Sequence, residues 1–174
     1  MGRGTSKIGN GASMNARTYA LFHGSPQNDI EEFDIEKAGT NTSTGENFLF
    51  FTDSEQMADE FSYERLSSSV SSFINQKGKK GSVYEVDVTM SKPLDLTNAS
   101  KEYLKNLIKL SDGELTESMV KKYSTGNNQI LKEYIDLNRI TEFGYDGFIA
   151  KMNRQGNKEY AVVSNKQVVI KKRR

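Results

Sequence analysis

The sequence predicts an α+β fold, because compact strand signals at both ends of the chain enclose a block of helical periodicity and the last strands are separated by turns. An alternating βαβ pattern, which would have indicated a doubly wound parallel sheet, is missing. The 174 residues are 35% hydrophobic and 27% charged, enough to bury one working core. One globular domain is expected over 17–174. Residues 1–16 are rich in Gly, Ser, Asn and basic side chains with almost nothing to bury, and read as a flexible arm.

The first strand is expected at Tyr19-Ala20-Leu21-Phe22-His23, stopped by Gly24, Ser25 and Pro26. Residues 34–47 are polar, contain two glycines and suit a mobile loop. Phe48-Leu49-Phe50-Phe51 follows as a second strand. Thr52 or Asp53 is placed to cap a helix over much of 53–75, on which Met57, Ala58, Phe61, Leu66, Val70, Phe73 and Ile74 recur at helical spacing. Lys77-Gly78-Lys79-Lys80-Gly81 reads as a basic turn. Val83 to Met90 alternates as a half-exposed strand.

From Asn98 to Phe143 the apolar positions follow helical spacing, punctuated by Gly113, Gly126 and Gly144 as turn or C-cap residues. The C-terminal third returns to strands at Phe148–Ala150, Glu159–Val163 and Gln167–Ile170, with a turn through 153–157. The terminal Lys171–Arg174 is expected to stay solvated.

Composition narrows the chemistry. No cysteine is present, which removes disulfides, thiolate nucleophiles and thiolate metal sites. A single histidine, His23, excludes multi-histidine zinc sites, so no metal is expected. The net charge is +1, from 24 Lys and Arg against 23 Asp and Glu, and selects no polyanion. No apolar run approaches the ~18 residues of a membrane span, so no membrane partner is expected. Catalysis would have to rest on carboxylates, hydroxyls, rings and one imidazole, with a diffusible cofactor supplying the rest.

Three separated features stand out: His23-Gly24-Ser25, Phe50-Phe51-Thr52-Asp53 and Lys158-Glu159-Tyr160. Read singly, the aromatics are core residues, His23 a strand-end residue and Glu159 an exposed strand carboxylate or half of a hairpin ion pair with Lys158. Taken in order, they resemble the ADP-ribosyltransferase superfamily, in the branch typified by diphtheria toxin and the poly-ADP-ribose polymerases. Phe50-Phe51-Thr52-Asp53 with Ala58 and Phe61 keeps that branch's spacing of an aromatic, a Thr-Asp pair and a second aromatic, and Glu159-Tyr160-Ala161-Val162-Val163 matches its catalytic strand. Gly144-Tyr145-Asp146-Gly147-Phe148 resembles phage-encoded and polyvalent-protein members.

The resemblance implies two small, mostly antiparallel sheets around an NAD cleft, with the helical segment inserted, and NAD as co-substrate. Glu159 and His23 would be catalytic. His23, Gly24, Ser25, Phe50, Phe51 and Phe61 would bind the cofactor, with Glu159 on the nicotinamide-ribose 2′-hydroxyl, Gly24 backbone on the carboxamide and Phe50 and Phe61 sandwiching the nicotinamide. Breaking the bond to nicotinamide passes through an oxocarbenium-like sugar, which needs a nearby carboxylate. Phe50 stands where the family usually has Tyr, and keeps the ring without the hydroxyl. Asn157 stands where an arginine-modifying branch has Glu or Gln, so the resemblance does not imply arginine as acceptor. The implied activity is mono-ADP-ribosylation of a protein or nucleic acid, as a toxin or phage effector in the cytoplasm or delivered into a host cell. A catalytically silent binding or structural module with the same fold is the alternative.

Overall fold

The computed structural model describes residues 16–38, 47–65, 77–98, 100–126, 128–152 and 154–174. The strands among them are β1 (Arg17–Ser25), β2 (Leu49–Thr52), β3 (Tyr63–Arg65), β4 (Lys77–Lys80), β5 (Ser82–Met90), β6 (Leu94–Asp95), β7 (Gly147–Lys151), β8 (Lys158–Val162) and β9 (Val168–Arg173). The helices are α1 (Glu55–Phe61), α2 (Lys101–Leu110), α3 (Glu117–Thr125) and α4 (Gln129–Tyr134), and a 3₁₀ turn covers Leu137–Phe143. The α+β expectation holds. The arm at 1–15 and most of the 34–47 loop lie outside the described residues.

Where two small sheets were expected, the strands form one seven-stranded sheet, ordered β6-β7-β8-β2-β1-β5-β9, and a separate β3-β4 pair. All pairings are antiparallel except β6 with β7. The large sheet is nevertheless pinched in its middle. β1 and β5 are registered along nine residue pairs, whereas β1 and β2 share only Phe22↔Thr52. β9-β5-β1 and β2-β8-β7-β6 are thus two arms joined at one point.

The arms fold towards each other. β5 and β7 stand four strand steps apart, about 19 Å if the sheet were flat. Yet Met90 Cε of β5 lies 2.5 Å from where a Cβ on Gly147 of β7 would sit, and Tyr19 of β1 packs at a tilt against Tyr160 of β8 with centroids 5.0 Å apart. The faces turned inward carry Leu21, Val86, Val88, Phe51, Tyr160, Val162 and Ile149, which form one buried cluster with Phe33. Period-two alternation explains the selection: in β5 the even residues are buried and Glu85, Asp87 and Thr89 are partly exposed. The outer face of the second arm carries α2, α3 and α4 on a second cluster including Phe48, Leu94, Phe148, Leu107, Val120 and Leu131.

Three local expectations are corrected. The helix expected over 53–75 ends at Phe61, because Ser62 turns its hydroxyl back to the Asp59 carbonyl (2.7 Å) and its own carbonyl accepts from Gly81 N–H (2.8 Å), diverting the chain into β3. Positions 66–74 of that expectation lie outside the described residues. The helix is capped by Ser54, whose hydroxyl accepts from Met57 N–H (3.3 Å), not by Thr52 or Asp53. The basic turn at 77–81 is largely strand β4, which pairs with β3 while Lys80 bonds Asp59 at 2.6 Å beside the Tyr63 ring. Lys171–Arg174 stay exposed as expected, while Lys171–Arg173 continue β9, which crosses to pair with β5. A capping box between Ser164 and Gln167 makes that crossing, and Gln167 Nε2 pins it by donating to the carbonyls of Thr89 (3.3 Å) and Asp146 (2.9 Å).

The Gly144–Phe148 motif closes the two arms. Gly144 ends the 3₁₀ turn in the left-handed region (φ 78°), where glycine is unstrained. Asp146 then accepts from the N–H groups of Ser91 (2.6 Å) and Lys92 (3.0 Å), tying the end of β5 to the start of β7. A side chain on Gly147 would meet the Ala161 carbonyl oxygen at 2.1 Å. Asp146→Ala leaves the Ser91 and Lys92 N–H groups without that carboxylate, and urea unfolding should show a loss of about 1–3 kcal/mol with the fold retained. A wild-type midpoint would mean that the carboxylate does not hold the arms.

Candidate functional site

β1, β2 and β8 are neighbours, so the three sequence features meet at the pinch of the sheet. The register Phe22↔Thr52↔Glu159 places these three side chains on one face, with Phe50 opposite Ala161 on the same face. This is the outer, helix-bearing side. His23 and Phe51 are one residue out of phase and point into the core between the arms.

Glu159 sits under α4. Its Oε1 accepts from Lys132 Nζ at 2.6 Å and lies 3.4 Å from Gln129 Nε2. Both members of the Lys132–Glu159 pair are largely shielded, with side chains 19% and 12% exposed, so water screens them far less than a surface pair. The Lys132 ammonium also lies over two rings, 5.7 Å from the centroid of Phe50 and 5.1 Å from that of Phe148. Phe50 itself packs edge-on against Phe148, at 6.1 Å. A carboxylate, a cation and an aromatic face are thus assembled in one place. The next residue, Tyr160, turns to the opposite face, where burial pushes its hydroxyl up to about 12, so it stays neutral at physiological pH.

His23 Nδ1 donates to the Phe50 carbonyl at 2.8 Å, since a carbonyl can only accept. The bond reaches from β1 to β2 beside their single registered pair, and it leaves Nε2 carrying the lone pair. The ring packs edge-to-face on Phe33 (4.8 Å) and lies 5.6 Å from Phe51. Desolvation in this apolar setting lowers the His23 pKa, and the Phe50 carbonyl offsets part of that by favouring the charged form.

The other residues singled out from sequence have definite places. Phe51 is core, 3% exposed. Ser25 is buried, and its hydroxyl accepts from Gln27 N–H at 3.2 Å, a turn contact. Gly24 lies beneath α1: a Cβ there would stand 1.7 Å from the Ala58 carbonyl oxygen, so helix packing alone requires glycine. Phe61, the last residue of α1, is 40% exposed. Between α1 and the β7–β8 turn opens a polar cleft of about 490 Å³, lined by Ser54, Gln56, Met57, Glu60, Gln155 and Asn157. Among the described residues, no group of three or more His, Asp or Glu side chains could hold a metal, and no helix is long and apolar enough to cross a membrane.

The model of one protein family, ADP-ribosyltransferase in polyvalent proteins, matches residues 15–172. The chain belongs to this family. A comparison with curated proteins gives no match. Among solved structures, an anti-CRISPR protein aligns over 91% of this chain and 96% of its own at 12% identity, with a TM-score of 0.45, too low to carry an argument.

Sequence reasoning missed Lys132 and Gln129 of this ADP-ribosyltransferase domain. A faint signal was present: Asn128, Leu131, Lys132 and Ile135 share one helical face, and three of the four are buried. A lysine on a buried stripe demands a partner. That the partner is Glu159, on a strand 27 residues later, follows from tertiary packing and not from local sequence.

The neutral His23 gives a pH signature. Its folded pKa lies below the 6.5 of the unfolded chain, so between the two values the unfolded state binds more protons and stability rises with pH. This contribution is complete above 6.5 and is lost as pH falls through 6.5 towards the folded value. Unfolding free energies of wild type and His23→Gln, measured from pH 7.5 to 5, should converge on acidification. Parallel curves would show that His23 is not held neutral.

Proposed function

We propose that this domain is a mono-ADP-ribosyltransferase, which cleaves NAD at the nicotinamide and transfers ADP-ribose to a protein or nucleic-acid acceptor, as a toxin or phage effector would. The observation that carries the reading is the Glu159 carboxylate, in register with Thr52, which stands two residues after Phe50 on the neighbouring strand. The family membership supports it independently.

In this reading Glu159 accepts a hydrogen bond from the nicotinamide-ribose 2′-hydroxyl and offsets the positive charge that grows on the sugar as the C1′–N bond breaks, while it helps align the acceptor. Phe50 and Phe61 offer flat faces to the nicotinamide ring, and the Gly24 backbone its carboxamide. His23, its ring turned to the face away from Glu159, serves the site by joining β1 to β2 through the Phe50 carbonyl. NAD is the sole co-substrate required, and no metal takes part.

A second reading has an observation of its own. Lys132 already occupies the Glu159 carboxylate and the Phe50 ring, as befits a catalytically silent module in which these residues are packing partners. One assay separates the two. Glu159→Ala, folded by circular dichroism, should lose nicotinamide release from NAD by at least about 100-fold, with or without a cell lysate as acceptor. Undiminished release removes Glu159 from the mechanism, and no release by wild type establishes the silent module.

A further inference from the structure

We infer that the helical segment between β6 and β7 is part of the active site: Lys132 and Gln129 of α4 are positioning residues that fix the Glu159 carboxylate in its working orientation. This rests on the reading of Glu159 as the catalytic carboxylate.

The first support is how tightly α4 is fastened beside Glu159. Asn128, fully buried at the start of the helix, accepts from Lys151 N–H at 2.5 Å, and Gln129 Nε2 donates to the Lys151 carbonyl at 2.8 Å. Lys151 ends β7 and pairs with Lys158, the residue before Glu159. The helix and the catalytic strand therefore share one rigid anchor, and the donors reach Glu159 from a fixed base.

A second support is the convergence on one oxygen. Lys132 Nζ and Gln129 Nε2 both address Oε1, and among the described residues no donor is recorded on Oε2. Two donors on one oxygen fix the carboxylate plane while the other oxygen remains for a ribose hydroxyl. The Lys132 ammonium is confined in turn by the Phe50 and Phe148 rings, so it holds one position instead of sweeping its long side chain through solvent. Its charge is bonded directly to the carboxylate that would accept from the 2′-hydroxyl and stabilise a cationic sugar. Lys132 touches neither; it acts through Glu159.

The test compares kcat and KM for nicotinamide release by wild type, Lys132→Met, Lys132→Gln, Lys132→Arg and Gln129→Leu, with folding checked by thermal unfolding. Lys132→Gln preserves chain length should the methionine variant fail to fold. Both neutral variants should lower kcat by about 10- to 100-fold with KM little changed. Lys132→Arg, which keeps the charge and the contact with the rings, should recover much of kcat. Gln129→Leu, which removes the longer of the two contacts, should lower kcat less, again with KM little changed. Neutral variants with wild-type kcat overturn the inference and leave the transferase reading intact. Faster turnover or a lower KM in Lys132→Met also overturns it, by making Lys132 an obstruction. An inactive wild type defeats the transferase reading, and this inference with it.

Discussion

The fold turns on how little joins β1 to β2. Two long, well-registered arms meet through one residue pair, Phe22 with Thr52, and beside that pair the backbone ladder is supplemented by a side chain: His23 of β1 donates to the Phe50 carbonyl of β2. A fuller ladder would have kept the sheet continuous and gently twisted, with its faces on opposite sides. The pinch lets the arms close on a shared apolar interior, and it leaves the outer ends of β2 and β8 free to carry Thr52, Phe50 and Glu159 where helices can reach them. The only histidine serves this join, which explains why a polar ring stands among Phe33, Phe51 and Tyr84.

Each arm needs a separate device to stay closed, because hydrophobic burial alone has no direction. At one end Asp146 binds two backbone N–H groups, and Gln167 bridges the carbonyls of Thr89 and Asp146. At the other, Tyr84 receives the Ile30 N–H and donates to the Gln27 carbonyl, folding the 26–30 segment over the core. On the outside, the glycine at 24 lets α1 lie directly on β1. Polar groups thus set the geometry that apolar contacts then stabilise.

Much of the fold was legible from patterning. The period-two alternation in 83–90, the apolar runs at 19–23 and 48–51 and the helical spacing from 98 to 143 all report burial, and burial is what a periodic sequence encodes. The misreadings share a cause. Leu66, Val70, Phe73 and Ile74 prolonged a helical pattern past Ser62, where a hydroxyl and a distant glycine N–H divert the chain. Lysines at 77–80 looked like a turn because their strand partner, β3, is itself short and polar. Of the candidate site, the order His23, Phe50, Glu159 was visible through the resemblance. Which face each occupies depends on register, and Lys132 depends on how a helix docks on a strand; neither is written locally.

The pairing of β2 with β8 has a kinetic consequence. Leu49 lies against Val162, although more than 100 residues separate them, and the loop so closed contains α1 to α4 and β3 to β7. Contacts of such long range are entropically the hardest to make, whereas β7 and β8 can meet early as a hairpin. Glu159 therefore acquires Thr52 and Phe50 as neighbours late in folding, after α4 and its lysine have had the chance to dock. A chain still short of that step holds the carboxylate but not its surroundings, so competence and native stability arrive together.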